Sequence, residues 1–306
     1  MRIIYLGTPD FAVPSLQILL ENGYDVVAVV TAPDKPGGRH GLLESAVKKF
    51  AVARGLRVLQ PEKLKNPAFL EELRALRADL QVVVAFRMLP EAVWNMPPLG
   101  TLNLHGSLLP KYRGAAPINW AVINGETETG LTTFRLRHEI DTGDVLDQVR
   151  LPIGPNETAG ELHDRMMLAG ADLVLRTVQA LENGTARPMP QSDAAATHAP
   201  KIFTETCRIS FDRPAAEVHN FVRGLSPHPG AWTELDGKNL KLLRTELLAE
   251  AQMPTGGERP TPGSFFSDGK NWLRVACADG AVQVLDLQME GKRRMTVRDF
   301  LKGYRM

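Results

Sequence analysis

Residues 3–31, IIYLGTPDFAVPSLQILLENGYDVVAVVT, decide the fold. Ile3 to Leu6 is an apolar run that stops at Gly7-Thr8-Pro9-Asp10. Pro14 to Asn22 has a proline near its start and Gly23 just past its end, the asymmetry of a helix. Asp25 to Thr31 is a β-branched run without polar alternation and reads as a second buried strand. The same order continues outward. Ala46 to Ala53 reads as a helix, Leu56 to Leu59 as a short strand, Asn66 to Arg77 as a helix and Leu80 to Phe86 as a buried strand. Thr101 to Leu104, Leu131 to Leu136 and Val145 to Leu151 read as further strands, and Ala115 to Asn124 as a helix stopped by Gly125. The prediction is an α/β fold, a mostly parallel sheet with helices on both faces.

A longer helix is predicted from Thr158 to Asn183. Leu162, Met166, Ala169, Leu173 and Leu181 form its apolar stripe, and Gly184 its stop. Thr185 to Pro200 holds three prolines and a small-residue tract and has no apolar periodicity, so it reads as a linker. Beyond it come Arg208 to Phe211, Trp232 to Leu235, Leu240 to Leu243, Trp272 to Ala276 and Val282 to Leu287, with one short helix from Ala215 to Arg223. Five short strands and a helix suit a small β-barrel of OB-like type. The expected division is 1–184, a linker over 185–204, and 205–306.

Composition fits this reading. A chain of 306 residues suggests about two domains. With 43% hydrophobic and 23% charged residues, disordered, collagen-like and disulfide-scaffold classes are excluded. The formal charge is +1, which argues against a globally basic nucleic-acid protein. That sum hides an asymmetry. Residues 201–306 hold 16 Lys and Arg against 13 Asp and Glu, whereas residues 1–200 hold 20 against 22. From Lys292 onward, Arg293, Arg294, Arg298, Lys302 and Arg305 face only Asp299. Cys207 and Cys277 lack metal or redox spacing and read as reduced, packed thiols. No run approaches the roughly 20 apolar residues of a membrane span, and the N-terminal run is too short for a signal peptide. A cytoplasmic location is the expectation.

Several chemistries lack their motif. Gly7-Thr8-Pro9 stands where a dinucleotide-binding chain carries GxGxxG, and no P-loop or HExxH occurs. No His/Cys cluster proposes a metal. The informative stretch is NLHGSLLPKYRGAAP, residues 103–117, at the end of a short strand. Asn103 and His105 are two apart and share one face of an extended chain. An amide donor beside an imidazole suits an oxyanion that develops during acyl transfer. In His138-Glu139-Ile140-Asp141-Thr142-Gly143-Asp144, Asp141 precedes a turn-like Thr-Gly; alone it reads as a solvated turn, and paired with the Asn103 stretch upstream it becomes a candidate catalytic carboxylate.

Taken together, Asn103-x-His105-x-Ser107-Leu108-Leu109-Pro110-x-x-Arg113-Gly114 and Asp141-Thr142-Gly143 resemble the signature of the folate-dependent formyltransferases. Gly7-Thr8-Pro9-Asp10-Phe11-Ala12, Thr31-Ala32-Pro33-Asp34-Lys35-Pro36-Gly37-Gly38-Arg39 and Leu225-Ser226-Pro227-His228-Pro229-Gly230-Ala231 resemble the branch of that family whose acceptor is methionyl initiator tRNA. The resemblance implies a Rossmann-like first domain and an OB-like second one. It implies formyl transfer from 10-formyltetrahydrofolate to the amino group of that tRNA, without a metal. It maps catalysis onto Asn103, His105 and Asp141, and folate contact onto Ser107, Leu108, Leu109 and Pro110. It maps a tRNA-contacting insertion onto Ala32 to Leu43, with Lys35 and Arg39. The basic tail adds Lys292, Arg293 and Arg294 as phosphate contacts. A monomer that does not bind membranes is expected. Phe86-Arg87-Met88-Leu89-Pro90 departs from the family's Tyr-Gly-x-Ile-Leu-Pro, being one residue shorter and without the glycine. A sugar-nucleotide formyltransferase, a formyltetrahydrofolate hydrolase and a non-catalytic RNA-binding protein stand as alternatives.

Overall fold

The computed structural model describes residues 1–37, 41–248 and 260–304. In chain order the elements are β1 (Arg2–Gly7), α1 (Val13–Glu21), β2 (Asp25–Val30), β3 (Lys35–Pro36), β4 (Leu42–Leu43), α2 (Ala46–Ala53), β5 (Val58–Leu59), α3 (Pro67–Ala75), β6 (Leu80–Val84), α4 (Glu91–Trp94), β7 (Thr101–His105), β8 (Arg113–Gly114), α5 (Pro117–Ile123), β9 (Glu128–Arg135), β10 (Val145–Pro152) and α6 (Ala159–Glu182). They continue with β11 (His198–Ala199), α7 (Ala215–Leu225), β12 (Ala231–Leu235), β13 (Lys238–Leu247), β14 (Phe265–Ser267), β15 (Leu273–Ala276), β16 (Ala281–Met289), β17 (Met295–Thr296) and α8 (Val297–Gly303). Two compact units result. The first comprises Met1–Gly114, Gly130–Leu151 and His163–His198; the second comprises Ala115–Thr129, Pro152–Leu162 and Ala199–Met306.

The first unit is built on a seven-stranded sheet of order β10-β9-β7-β6-β1-β2-β5. β5, β2, β1, β6 and β7 run parallel, and β9 is antiparallel to β7. Ile4, Leu6, Ala28, Val30 and Val83 pack with Phe69 and Leu73 of α3 and Val93 of α4. Ile3, Tyr5, Leu80, Val82 and Val84, of opposite parity on the same strands, are equally buried. Burial on both faces explains why these strands are apolar throughout. Local chemistry starts the helices where the sequence indicates. The Ser45 hydroxyl accepts the Lys48 N–H at 3.0 Å to cap α2, and Asn66 caps α3 ahead of Pro67. α6 lies on β7 and β9: a Cβ on Gly170 would sit 2.8 Å from Leu104 Cδ2, and Thr177 meets Thr133 hydroxyl to hydroxyl at 2.8 Å.

The chain leaves β1 in one direction along the sheet, to β2 and β5, then returns to β6 on the other side of β1. Such a reversal opens a crevice at the carboxyl ends of the strands, where open α/β sheets hold ligands. Apart from β11, the segment from 185 to 198 has no strand and no α-helix, consistent with its lack of periodicity. It is nevertheless tied to the first unit. Val145 and Met189 exchange both backbone hydrogen bonds at 2.8 Å, and the Arg113 N–H donates to the Thr197 carbonyl at 2.9 Å.

In the second unit, β12-β13-β16-β15-β14 form an antiparallel sheet, with β17 added on β16. A register shift in β13 between Leu242 and Thr245 gives the irregularity that curls such a sheet into the half-barrel expected of an OB-like domain. Val218, Val222 and Leu225 of α7 fill its concave side with Leu240, Leu242, Leu273, Val282 and Leu287. Arg208 to Phe211 differs from the expected strand. Among the described residues its one bridge is from Arg208 to Trp232, although Ile209 and Phe211 are buried. Cys207 and Cys277 are free, buried thiols in this core, and burial pushes Cys277 up to about 12.

Gly224 lets α7 approach α5 closely, because a Cβ there would lie 2.5 Å from Ile123 Cγ1. Beside it His219 is buried. Its Nε2–H donates to the Pro155 carbonyl at 3.1 Å, and Nδ1 faces the Thr245 hydroxyl at 2.9 Å. Burial is the largest cause lowering its pKa, with the nearby Arg223 charge acting the same way and the Pro155 bond and Glu246 opposing. The folded imidazole therefore resists a proton that the unfolded one takes up near pH 6.5. Stability from this site is complete above that pH and falls as pH drops below it. The urea midpoint is expected to fall more between pH 7.5 and 5.5 for the wild type than for His219→Gln; equal falls would refute the assignment.

Candidate active site

His105 ends β7, at the carboxyl edge of the sheet. β7 pairs Asn103 with Phe134 and His105 with Thr132 of β9, placing these four side chains on one face. The His105 ring meets Phe134 edge-on, with centroids 6.4 Å apart. Its Nε2 lies 2.8 Å from the Tyr112 carbonyl; that oxygen can only accept, so Nε2 carries the proton. Nδ1 is thereby left for chemistry and faces Asp141 Oδ2 at 3.7 Å. The two side chains keep only 7% and 12% of their exposure. The Asn103 carboxamide is half-buried and has no side-chain hydrogen-bond partner among the described residues. Three of the sequence-predicted residues are thus assembled at one strand end.

The Asp141 carboxylate is held by its own backbone surroundings. Oδ2 accepts the Gly114 N–H at 2.8 Å. Asp141 has a φ of 55°, in the left-handed region that non-glycine residues rarely occupy. The turn closes as tightly as it does because of Gly143: a Cβ there would overlap the Arg135 carbonyl.

Ser107 to Pro110 form a loop over the same face. Ser107 is buried, and its hydroxyl donates to the Lys111 carbonyl at 2.6 Å. Leu109 packs with Phe134 and Val145. Leu108 lies on Gly130 of β9, where a Cβ would approach its Cδ2 to 2.5 Å. Two polar residues not singled out in the sequence hold this loop. The Thr132 hydroxyl donates to the Ser107 carbonyl at 2.6 Å and accepts the Leu109 N–H at 3.0 Å. The Gln148 amide donates to the Leu109 carbonyl at 3.0 Å and to Thr132 Oγ1 at 2.9 Å. In sequence, Thr132 is an ordinary β-branched strand residue and Gln148 an ordinary polar one.

The atypical segment after β6 also has a defined path. Ala85 takes a φ of 48°. Arg87 then donates to the Glu62 carbonyl at 2.8 Å and to the Pro61 carbonyl, its guanidinium lying over Phe86. Leu89 is buried and Met88 exposed.

Lys35 is exposed on the β3–β4 hairpin. The base of that hairpin is fastened by Asp34, which accepts from Lys48 at 2.5 Å and from Gln60 at 2.8 Å. These hydrogen bonds, Lys48 first, hold the Asp34 carboxyl below its ordinary range. Arg39 lies outside the described residues. Lys292 and Arg293 are exposed at the β16–β17 turn, while Arg294 is engaged by Asp286. Among the described residues, no group of three or more His, Cys, Asp or Glu side chains could hold a metal ion, and no helix is long and apolar enough to cross a membrane.

An Asn-x-His pair thus stands at the carboxyl end of a mostly parallel sheet, with a half-buried carboxylate facing the imidazole. Residues 1–178 match the family model described as formyl transferase, and residues 201–305 match the formyl transferase C-terminal domain. The chain belongs to the formyl transferase family. It is similar along its whole length to two proteins named methionyl-tRNA formyltransferase. That of Parabacteroides distasonis is 56% identical, with 100% of this chain and 96% of the relative covered. That of Phocaeicola vulgatus is 57% identical with the same coverage. Among solved structures, the N-formyltransferase of Helicobacter canadensis, in complex with folinic acid and dTDP-3-aminofucose, superposes with a TM-score of 0.71. It covers 96% of this chain and 99% of its own at 21% identity, a likeness of fold alone.

Proposed function

We propose that this chain transfers the formyl group of 10-formyltetrahydrofolate to the free α-amino group of methionyl initiator tRNA. The observation that carries the reading is the approach of His105 Nδ1 to Asp141 Oδ2 at the end of β7, in a chain related over its full length to enzymes of that name. The amine attacks the formyl carbon, and a C–N bond forms to the acceptor as the bond to folate N10 breaks. The Asn103 carboxamide donates to the oxyanion, an interaction typically worth about 10²–10³ in rate. His105 and Asp141 accept the proton that the amine loses, and N10 receives one as it leaves. Ser107 to Pro110 wall the folate side. The formyl carbon arrives activated, so holding two large substrates together supplies much of the rate.

The proposed organisation is a catalytic region over 1–184, a connector over 185–204 and a tRNA-binding region over 205–306, acting as a cytoplasmic monomer. The deciding experiment offers 10-formyltetrahydrofolate with charged initiator tRNA, charged elongator methionyl-tRNA and a sugar amine in competition. Formylation of the initiator species is expected. Preference for the sugar amine, or formate release without an acceptor, would overturn the reading.

Lys35, Arg39, Lys292, Arg293 and Arg294 are proposed as phosphate contacts. Arg294 is the weakest of them, because Asp286 already neutralises it. Replacing Lys292 and Arg293 with glutamine is expected to reduce the slope of log affinity against log salt by about 2, roughly 1 per lost contact. An unchanged slope in a filter-binding titration with methionyl-tRNA would remove these two residues from the interface.

A further inference from the structure

The segment after α6, featureless in sequence, reaches both members of the His105–Asp141 pair. The Gln191 carboxamide donates from Nε2 to the Asp141 carbonyl at 2.8 Å and to the Gly143 carbonyl at 2.7 Å. Its Oε1 accepts from Arg113 Nε at 3.1 Å and Nη2 at 2.9 Å. Arg113 is buried, and its remaining Nη1 is held by Asp193 Oδ1 at 2.9 Å. Every hydrogen-bonding direction of Gln191 is therefore committed, two of them to the turn that places Asp141 at positive φ. The neighbouring Thr197 hydroxyl accepts the Tyr112 N–H at 2.8 Å, and the Tyr112 carbonyl is the group that receives His105 Nε2–H.

We propose that Gln191 is a positioning residue for formyl transfer, which clamps the Asp141 turn so that its carboxylate meets His105 Nδ1, with Arg113 as its support. The inference rests on the proposed role of Asp141. The physical reason is specific. Asp tolerates the left-handed region, so the φ of Asp141 does not by itself fix where the turn holds its carboxylate. The Gly114 N–H fixes only one oxygen of the side chain, whereas Gln191 fixes the peptide that carries it. A two-donor amide can draw the Asp141 and Gly143 carbonyls to one point; a carboxylate at that position would repel both.

The test uses the full-length enzyme and compares Gln191→Met, Gln191→Glu, Asp141→Asn and the double variant Gln191→Met/Asp141→Asn. Gln191→Met keeps the length of the side chain and removes its hydrogen bonds. Gln191→Glu keeps the bond to Arg113 and the fold, so it answers the question if the methionine variant does not fold. Each single Gln191 variant is expected to lower kcat by about tenfold to a hundredfold, with KM for both substrates within about threefold of wild type. In the double variant the Gln191 loss should largely disappear, because two residues acting through one geometry are not additive. A kcat within about threefold of wild type in Gln191→Glu, or losses that multiply in the double variant, would overturn the positioning role. If Asp141→Asn alone leaves kcat unchanged, the assignment of Asp141 falls instead, which keeps the two failures apart.

Discussion

In His105→Ala, kcat for formyl transfer to methionyl-tRNA should fall by about 10²–10⁴, the range lost when a positioned acid–base group is removed. KM for the formyl donor should stay within about threefold, since the ring acts on the reacting centre rather than on the pterin. Loss of fold is not the cause to anticipate. Among the described residues the ring makes one hydrogen bond, to the Tyr112 carbonyl, and one edge contact, with Phe134. Such a bond contributes about 0.5–1.5 kcal/mol, well below the stability of an ordinary domain. His105→Gln sharpens the result. A glutamine amide can still donate to the Tyr112 carbonyl, but it cannot take a proton where Nδ1 faces Asp141. If the loss comes from proton transfer, glutamine should restore stability and not rate. A glutamine variant with kcat close to wild type would remove His105 from the chemistry and leave it a structural donor. Single-turnover mixing with preloaded donor separates the chemical step from product release.

The residues of the site differ in how far sequence discloses them, and the difference has a physical origin. Asn103 and His105 are legible because strand geometry converts a spacing of two into a shared face, and the strand that carries them is itself marked by apolar content. Asp141 is legible only through its company. An acid before Thr-Gly reads alone as a solvated turn, and the groups that hold it in place come from residues 114 and 191, far along the chain. Gln191, Thr132 and Gln148 leave little trace, because the bonds by which each grips the site's loops go to backbone carbonyls and amides. Backbone partners impose no residue type on the other side of the contact, so no complementary pattern exists to be read. The fold shows the same division. β1, β2 and β6 are buried on both faces and announce themselves as apolar runs. Arg208 to Phe211 alternates polar and apolar residues, and Ile209 and Phe211 enter the core, yet among the described residues its backbone makes a single bridge, to Trp232. Burial and pairing are separate properties, and apolar pattern reports the first. The connector shows a further separation of pattern from contact. Proline and small residues mark the absence of helix and strand, but they do not mark an absence of contacts, and Met189, Gln191 and Thr197 make theirs without any periodicity.

Gly143→Ala should disable the enzyme about as thoroughly as removing the Asp141 carboxylate, although residue 143 bears no chemistry. A Cβ there would overlap the Arg135 carbonyl oxygen, and its neighbours would include Arg135 C at 2.8 Å and Phe134 Cδ2 at 3.2 Å. These are backbone and packed-ring atoms, not the free end of a flexible side chain, so one of two segments has to move. β9 is the worse candidate. Leu131 to Phe134 are buried, and the strand is paired with β7 through to the bond from the Leu136 N–H to the Thr101 carbonyl. The 138–144 turn is the softer partner, since Arg137, His138, Glu139 and Ile140 have exposed or half-exposed side chains and Asp141 already sits at an unfavourable φ. The turn should therefore give way, carrying the Asp141 carboxylate from His105 and the Gly143 carbonyl from Gln191. Overpacking of this kind costs about 1–3 kcal/mol, which a folded domain survives, so the loss should appear in kcat before it appears in thermal stability. Gly303→Ala, where a Cβ meets nothing within 4 Å, is the matched control and should leave both quantities unchanged. Should Gly143→Ala retain kcat within about threefold of wild type, the 138–144 turn would not be what fixes the reacting geometry, and the carboxylate would have to reach His105 by a route independent of this turn.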